Sequence, residues 1–186
     1  MIYILNFRDS VPFGHKIINT TSNSRDFGRG LSPMLVGPVE ANGITCKNVE
    51  NAWQYSKVYY EHVDQHMEPT QQYYTWRNNG YQKSFADRYP MGKGRVPLYS
   101  YWEGKKLSYI DARVEIYIPL YASAVVKTDA FKKLQKLYEK TQDIVLLDYD
   151  AYNHRDLCLT WEEVISDPKR KMGHAFILAM LLENVI

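Results

Sequence analysis

The chain has 186 residues, which is a typical length for one domain; 45% of them are hydrophobic and 24% are charged. These values predict an ordinary soluble globular protein and exclude a disordered or fibrous one. The net charge of +2 is too small for general affinity for nucleic acids, so any such binding requires a local basic patch.

Cysteine content and hydropathy indicate the compartment. The two cysteines, Cys46 and Cys158, are too few for a disulfide scaffold. No apolar stretch approaches the ~20 residues of a membrane span, and the start of the chain lacks the pattern of a signal peptide. We therefore expect a cytoplasmic protein that does not bind membranes.

Hydrophobic periodicity and turn signals predict a mixture of helices and short strands. In chain order, the predicted elements are a strand over 2–7, a long loop over 8–33, a hairpin of strands 36–39 and 44–46, helices over 49–62 and 69–79, a short helical piece over 83–88, an irregular stretch over 90–103, helices over 107–126 and from 128 onward, a strand over 143–149, and helices over 159–165 and 173–184. This order predicts an α+β fold, with one mainly helical domain over residues 1–186 around a small β-sheet.

Local signals determine several of these boundaries. Asn42-Gly43 is typical of a tight hairpin turn. Asn48 is a good N-cap for the helix over 49–62. Gly80 is expected to end the following helix, because glycine commonly stands just past a helix C-terminus. Thr128-Asp129 is expected to cap the helix that begins there.

A mixed polar and aromatic face is the most informative feature of the chain. Glu50, Trp53, Gln54 and Lys57 lie at positions i, i+3, i+4 and i+7, which fall on one face of a helix. On such a helix, the positions of Glu50 and Lys57 are ~10.5 Å apart along the axis. A carboxylate, an amide and an amine around one indole ring suit a cleft better than a core. The alternative is a solvated polar face.

Two further groups of residues each have two alternative interpretations, one functional and one purely structural. In one region, basic side chains alternate with aromatic ones. This region either binds a nucleotide, with cations on the phosphates and rings stacked on the base, or is a solvated basic loop. They are Arg88, Lys93, Arg95, Tyr99, Tyr101, Trp102, Lys105 and Lys106. Asp148 and Asp150 follow a buried strand and either hold a divalent metal or cap a turn. Two carboxylates without a third ligand do not define a metal site, so we predict neither metal nor cofactor.

The stretch from Leu31 to Val58 resembles the signature region of the NADAR family. The matching positions are Ser32, Pro38-Val39, Gly43, Thr45, Glu50, Trp53, Gln54 and Lys57, in an ungapped run. Looser similarity continues in the basic stretch over 91–102, in 150–152 and at Met172-Gly173. This chain has Pro33-Met34 where the family usually has Asn-Phe, which indicates a divergent branch of a kind associated with phage and bacterial genomes.

The resemblance implies a NADAR-like fold and an N-glycosidase that cleaves the ribosyl C1–N bond of ADP-ribose-type compounds. Family members differ in substrate: some remove ADP-ribose from guanine in DNA and so reverse a toxin modification, and others cleave riboflavin-pathway intermediates. The expected ligand is therefore an ADP-ribose-type compound, with ADP-ribosylated DNA as a candidate partner.

The resemblance also implies roles for particular residues. Glu50 would stabilise the cation-like sugar, and Lys57 would either attack C1 as a neutral amine or hold a hydroxyl or phosphate as a cation. The expected substrate-binding residues are Arg29, Ser32, Trp53, Gln54, Lys93, Arg95, Trp102, Asp150 and Tyr152. Two alternatives remain open: a non-catalytic nucleotide or nucleic-acid binding module, and a metal-dependent glycosyltransferase using Asp148 and Asp150.

Overall fold

The computed structural model describes residues 1–11, 14–141 and 143–186. About 39% of the chain is helix and 17% is strand in small sheets, which confirms the predicted α+β class. The chain divides into a terminal unit, Met1–Val36 with Tyr121–Ile186, and a central unit, Gly37–Leu120. That the whole chain forms one domain stays a prediction. No helix in the described part is long and apolar enough to cross a membrane.

The elements have the following bounds in chain order. The strands are β1 (Ile2–Asn6), β2 (Lys16–Asn19), β3 (Val39–Ala41), β4 (Ile44–Cys46), β5 (Lys57–Val58), β6 (Tyr99–Trp102), β7 (Lys105–Leu107) and β8 (Ile144–Asp148). The helices are α1 (Val49–Tyr55), α2 (Gln71–Gln82), α3 (Tyr109–Ala112), α4 (Ile118–Val125), α5 (Asp129–Thr141), α6 (Trp161–Ser166) and α7 (His174–Leu182). Shorter helical turns are the 3-10 turns Phe27–Leu31 and Tyr60–His62 and the π turn Arg113–Tyr117.

A parallel three-stranded sheet forms the core of the terminal unit. Strand β8 lies between β1 and β2, and all five of its residues are buried. A strand buried on both faces is expected to be apolar along its whole length, which is why 143–149 was recognisable as a strand. Strand β2 contradicts the predicted loop over 8–33. It is an edge strand whose single buried residue is Ile18, so its sequence carries little strand pattern.

Helix α7 packs against β1 and β8, and its residues are buried on nearly every side. At its start, His174 Nδ1 lies 3.0 Å from Asp148 Oδ2, and His174 Nε2 lies 2.9 Å from the carbonyl oxygen of Thr20. Burial raises the pKa of Asp148, but the interaction with His174 and two backbone amides outweighs it, so the pKa lies below its ordinary value. Asp148 is thereby engaged in holding α7 to the end of β8.

The central unit contains the predicted hairpin and a second small sheet. Strands β3 and β4 pair antiparallel around Asn42 and Gly43, whose φ angles of 52° and 74° are those of a tight hairpin turn. The first strand begins at Val39 rather than at 36. The second sheet has the order β5-β6-β7, so the stretch 90–103, predicted as irregular, ends in a strand.

Three helix predictions need correction, and the others hold within a few residues. Helix α1 ends at Tyr55 rather than at 62, and α2 continues through Gly80 to Gln82. Residues 83–88 are irregular, with bends at 84, 85 and 88, and are not a helical piece. The predicted helix over 107–126 is helical from Tyr109 to Val125, with a π turn inside it. Thr128 caps α5 as expected, because its Oγ1 accepts from the Phe131 amide at 3.1 Å.

Candidate functional site

The site in the central unit begins with the cap of α1. Asn48 Oδ1 accepts from the Asn51 backbone amide at 2.8 Å, which starts the helix where the sequence predicts. The helix then turns Glu50 and Gln54 inward, where their side chains are buried, while Trp53 is half-buried at the edge. A buried carboxylate and a buried amide on one helical turn need internal partners, because unpaired polar groups are costly inside a protein.

The amide of Gln54 joins Glu50 to Lys57. Its Nε2 donates to Glu50 Oε1 at 2.9 Å, and its Oε1 accepts from Lys57 Nζ at 2.7 Å. The carboxylate and the amine are therefore bridged by one side chain, in contrast to the wide axial separation expected for a continuous helix. This arrangement fixes the orientation of the Gln54 amide, because its nitrogen points to Glu50 and its oxygen points to Lys57.

The early end of α1 places Lys57 beside Gln54. The Ser56 hydroxyl donates to the carbonyl oxygen of Trp53 at 2.9 Å, and the carbonyl oxygen of Ser56 accepts from the Tyr101 amide at 2.7 Å. The chain then enters β5, where Lys57 is paired with Ser100. Lys57 thus belongs to a strand and not to the helical face predicted from spacing, but its ammonium still reaches that face.

The indole ring of Trp53 forms the third side of this cluster. Lys57 Nζ lies 4.8 Å from the centre of that ring, which is within the range of a cation–π contact. The centre of the indole also lies 5.2 Å from the centre of the Tyr117 ring in the π turn. Because Trp53 and Lys57 are half-buried while Glu50 and Gln54 are buried, the cluster has a polar interior and an aromatic, cationic edge.

Asn51 and Tyr55 of the same helix are supporting residues of this site. Asn51 Oδ1 accepts from the Asp87 amide at 2.8 Å, and its Nδ2 donates to the carbonyl oxygen of Phe85 at 3.0 Å. The Tyr55 hydroxyl donates to Asp87 Oδ2 at 3.0 Å. Helix α1 therefore holds residues 83–88 in place. The sequence signal for the role of Asn51 was its position, as a polar residue directly after Glu50 on a buried helix.

The basic and aromatic residues predicted to bind substrate are mostly engaged elsewhere in the central unit. Arg95 forms an ion pair with Glu61, and Lys93 is exposed between two glycines with positive φ. Trp102 is only 7% exposed and belongs to the core of the hairpin β6–β7. Arg95 is thus paired with a residue outside the Glu50 cluster, and Trp102 belongs to the β6–β7 hairpin.

The remaining predicted residues lie in the terminal unit. Asp150 and Tyr152 help to line an open pocket of about 300 Å³. The pocket is lined by Tyr149, Asp150, Ala151, Tyr152, Arg170 and Lys171. Lys171 Nζ is 3.4 Å from Asp150 Oδ1, and the Arg170 guanidinium is 5.7 Å from the centre of the Tyr152 ring. Arg170 and Lys171 were not predicted, although the basic run 169–171 was a visible signal.

Arg29 and Ser32 stand at the 3-10 turn Phe27–Leu31. Arg29 is exposed, whereas Ser32 is buried and ends the turn, its amide donating to the carbonyl oxygen of Arg29 at 3.2 Å. The hydroxyl of Ser32 accepts from the Met34 amide at 3.4 Å. The geometry gives Ser32 a role in shaping the chain.

Over residues 1–11, 14–141 and 143–186, no group of three or more histidine, cysteine or acidic side chains is arranged to hold a metal ion. Asp148, one of the two carboxylates of the glycosyltransferase alternative, is bonded to His174.

Comparison with known proteins gives a family but no activity. No curated protein and no solved structure matches the chain. A family of unknown function, DUF6939, matches residues 5–177, which is nearly the whole chain. The protein therefore belongs to the family of unknown function DUF6939.

Proposed function

We propose that this protein is an N-glycosidase that hydrolyses the ribosyl C1–N bond of ADP-ribose-type conjugates, with ADP-ribose on guanine bases of DNA as its substrate. The observation that carries the proposal is the bridged cluster of Glu50, Gln54 and Lys57 beside the Trp53 ring. The resemblance of residues 31–58 to the NADAR family supports the same reaction.

The chemistry of the bond explains why this cluster is suitable. When the C1–N bond breaks, its electron pair leaves with the base nitrogen, which gains a proton, and C1 becomes cation-like until water adds to it. A carboxylate beside C1 stabilises the positive charge and can accept the proton of the attacking water. Glu50 suits this role because Gln54 holds one of its oxygens in a fixed direction.

Lys57 has two candidate roles in this reaction. As a neutral amine it would attack C1 and displace the base, and the opened sugar would be held as an imine until water released it. As an ammonium it would hold a hydroxyl or phosphate of the substrate instead. Its bond to Gln54 suits both roles, because either form of the amine can donate a hydrogen bond.

The biological setting that we propose follows from the substrate. Removing ADP-ribose from DNA reverses the action of a DNA-modifying toxin, which would serve a phage as a counter-defence. The reaction would take place in the cytoplasm, where the modified DNA is found, and its partners would be ADP-ribosylated DNA and its ADP-ribose moiety.

Product analysis with a panel of substrates tests the proposal. The panel comprises ADP-ribosylated guanine DNA, free ADP-ribose, NAD and pyrimidine riboside phosphates. We expect release of ADP-ribose from the DNA, and we expect Glu50→Gln to lower its rate about 10²–10⁴-fold, because this change removes the charge and keeps the shape of the side chain.

Glu40→Gln is the matched control, since Glu40 is an exposed residue of β3 whose carboxylate accepts from Thr45. It should leave the rate unchanged, and circular dichroism should show that both variants fold. Wild-type turnover by Glu50→Gln would show that the catalytic site is assigned wrongly. If only the riboside phosphates are turned over, the substrate would instead be a riboflavin-type intermediate.

A second candidate function is a non-catalytic nucleotide-binding module. It is supported by the pocket in the terminal unit, where two tyrosines stand beside Arg170 and Lys171. Aromatic rings with adjacent cations are typical of sites for a base and its phosphate. Thermal stabilisation by ADP-ribose, without product from any member of the panel, would favour this function over the glycosidase.

A further inference from the structure

Helix α5 carries a concentration of positive charge that none of the functions above uses. The segment 127–140, which contains most of α5 and the two residues before it, has five lysines and two carboxylates, a surplus of three positive charges, whereas the whole chain has a net charge of +2. The remainder of the molecule is therefore slightly acidic. A second basic segment, residues 83–106, has six cations and two carboxylates, but four of its cations form ion pairs: Lys83, Arg95, Lys105 and Lys106.

The lysines of α5 share the side of the helix that faces solvent. We call Lys132, Lys133, Lys136 and Lys140 the lysine face; all four are exposed. From Lys133 onward they recur every three to four residues, so their positions are about 4.5–6 Å apart along the axis. The opposite side is packed inward, because Phe131 and Leu134 are buried.

The lysine face is only weakly neutralised by neighbouring carboxylates. Lys132 approaches Asp129 at 3.3 Å, where both side chains are exposed and such a pair is worth little. Throughout the described parts of the chain, Lys133, Lys136 and Lys140 make no ion pair. Three cations in a row thus remain available to an external anion.

Two arginines stand on a segment that packs against the start of α5. The 3-10 turn Phe27–Leu31 contacts the helix so closely that a side chain on Gly30 would lie 2.9 Å from the Ala130 methyl group. Arg25, which precedes this turn, and Arg29, which lies within it, are both exposed. The positive surface therefore continues beyond the helix at its N-terminal end.

We propose that the lysine face of α5 binds the phosphate backbone of double-stranded DNA. Evenly spaced lysines act as point charges that neutralise phosphates without reading sequence. A membrane surface fits less well, because an amphipathic helix binds bilayers through its apolar face, and that face of α5 is buried in the protein. The DNA binding itself does not depend on the proposed function. Only the reaction that the bound DNA would undergo rests on it.

Fluorescence anisotropy with an unmodified, labelled 20-bp duplex tests the inference without reference to catalysis. The intact chain should bind with an affinity that falls steeply with salt. The variant Lys133→Gln/Lys136→Gln/Lys140→Gln should bind about tenfold or more weakly at low salt. Its slope of log K against log salt should be smaller by about two to three, since each lost phosphate contact contributes about 0.9.

Lys16→Gln/Lys47→Gln/Lys169→Gln is the matched control, because it removes the same charge from exposed lysines on other parts of the chain. It should change affinity much less. Equal weakening by both triple variants, no binding by the intact chain, or tighter binding to phosphatidylserine vesicles than to the duplex would overturn the proposal.

If the lysine variant keeps glycosidase turnover on a small ADP-ribosylated nucleoside but loses it on DNA, both proposals stand. DNA binding without turnover on either substrate would remove the glycosidase and leave the DNA surface intact.

Discussion

At the scale of single residues, the side chain of Gln54 determines how Glu50 and Lys57 act together. It donates to the carboxylate and accepts from the amine, so both groups have fixed directions before any ligand binds. Preorganised charges stabilise a developing charge at low cost, because they need not move during the reaction. The indole of Trp53 adds a surface on which a cationic or ring-shaped group can rest.

Borohydride trapping separates the two roles of Lys57. If its amine forms an imine with the sugar, reduction during turnover should leave a stable adduct that mass spectrometry assigns to Lys57. Lys57→Ala should then lose both the adduct and turnover. Lys57→Arg serves as the comparison, since it keeps the charge but cannot form the imine. Full turnover by Lys57→Arg without any adduct would assign Lys57 a purely electrostatic role.

His154 makes stability depend on pH at the residue scale. The ring is 4% exposed and lies 4.4 Å from that of Trp161. Burial, aided by the charge of Arg155, lowers the pKa of His154 from 6.5 to about 4. The unfolded chain therefore takes up a proton at a higher pH than the folded one. The stabilisation is complete above pH 6.5 and is lost as the pH falls towards about 4.

Urea unfolding at a series of pH values between 4 and 7 tests this linkage. In that window, His154→Leu should reduce the slope of the unfolding free energy against pH by up to about 1.4 kcal/mol per pH unit, because one titrating group is removed. The exposed residue His66 gives the control, His66→Leu, which should keep the wild-type slope. An unchanged slope in His154→Leu would contradict the assignment.

At the scale of elements, the packing of α1 against α2 explains why a glycine lies inside α2. Gly80 lies inside α2, where it allows the ring of Tyr55 to pack directly on the helix backbone. A β-carbon at position 80 would lie 2.1 Å from that ring. The ring is held by Trp76 at 4.5 Å and by Asp87. Gly80 therefore serves close packing and not the helix end that its sequence context indicated.

Gly80→Ala should destabilise the protein in spite of the higher helix propensity of alanine. The propensity gain is about 1 kcal/mol, but overpacking against a fixed ring costs typically about 1–3 kcal/mol and exceeds it at so short a distance. The measurement is the free energy of unfolding in urea. Asn79→Ala, at an exposed position of the same helix, should instead stabilise by a few tenths of a kcal/mol. A more stable Gly80→Ala would refute the packing argument.

At the scale of the whole molecule, β8 connects distant parts of the chain. It pairs with β1 and β2, which lie more than 120 residues earlier in the sequence, and no residue of β8 is exposed. Such pairing is formed only when the terminal unit folds, because the loop closure is large. Stability should therefore be most sensitive to the apolar residues of this strand.

Leu146→Ala tests this role of β8. We expect a loss of about 2–5 kcal/mol, which is the usual cost of truncating a fully buried leucine. Ile17→Ala in β2 is the control, since Ile17 is 45% exposed and should cost less than about 1 kcal/mol. Thermal or urea unfolding measures both. Equal losses in the two variants would show that β8 is not the main strand of the core.

The sequence by itself determined the features that depend on neighbouring residues. Asn48 caps α1, Asn42-Gly43 turns the hairpin, and the continuous apolar run of β8 identifies a buried strand, because each involves bonds or burial within a few residues. The same local signals sufficed for the α+β class and for placing Glu50 and Gln54 on one helical turn.

Only the tertiary structure decided where α1 stops, why Gly80 stands inside α2 and which residues join Lys57. The end of α1 depends on β6, more than 40 residues away, whose pairing with Lys57 draws the chain out of the helix. The position of Gly80 depends on the ring of Tyr55. Apart from proline, helix propensity differs by at most about 1 kcal/mol per residue, so packing between distant segments overrides it, and sequence spacing cannot foresee that result.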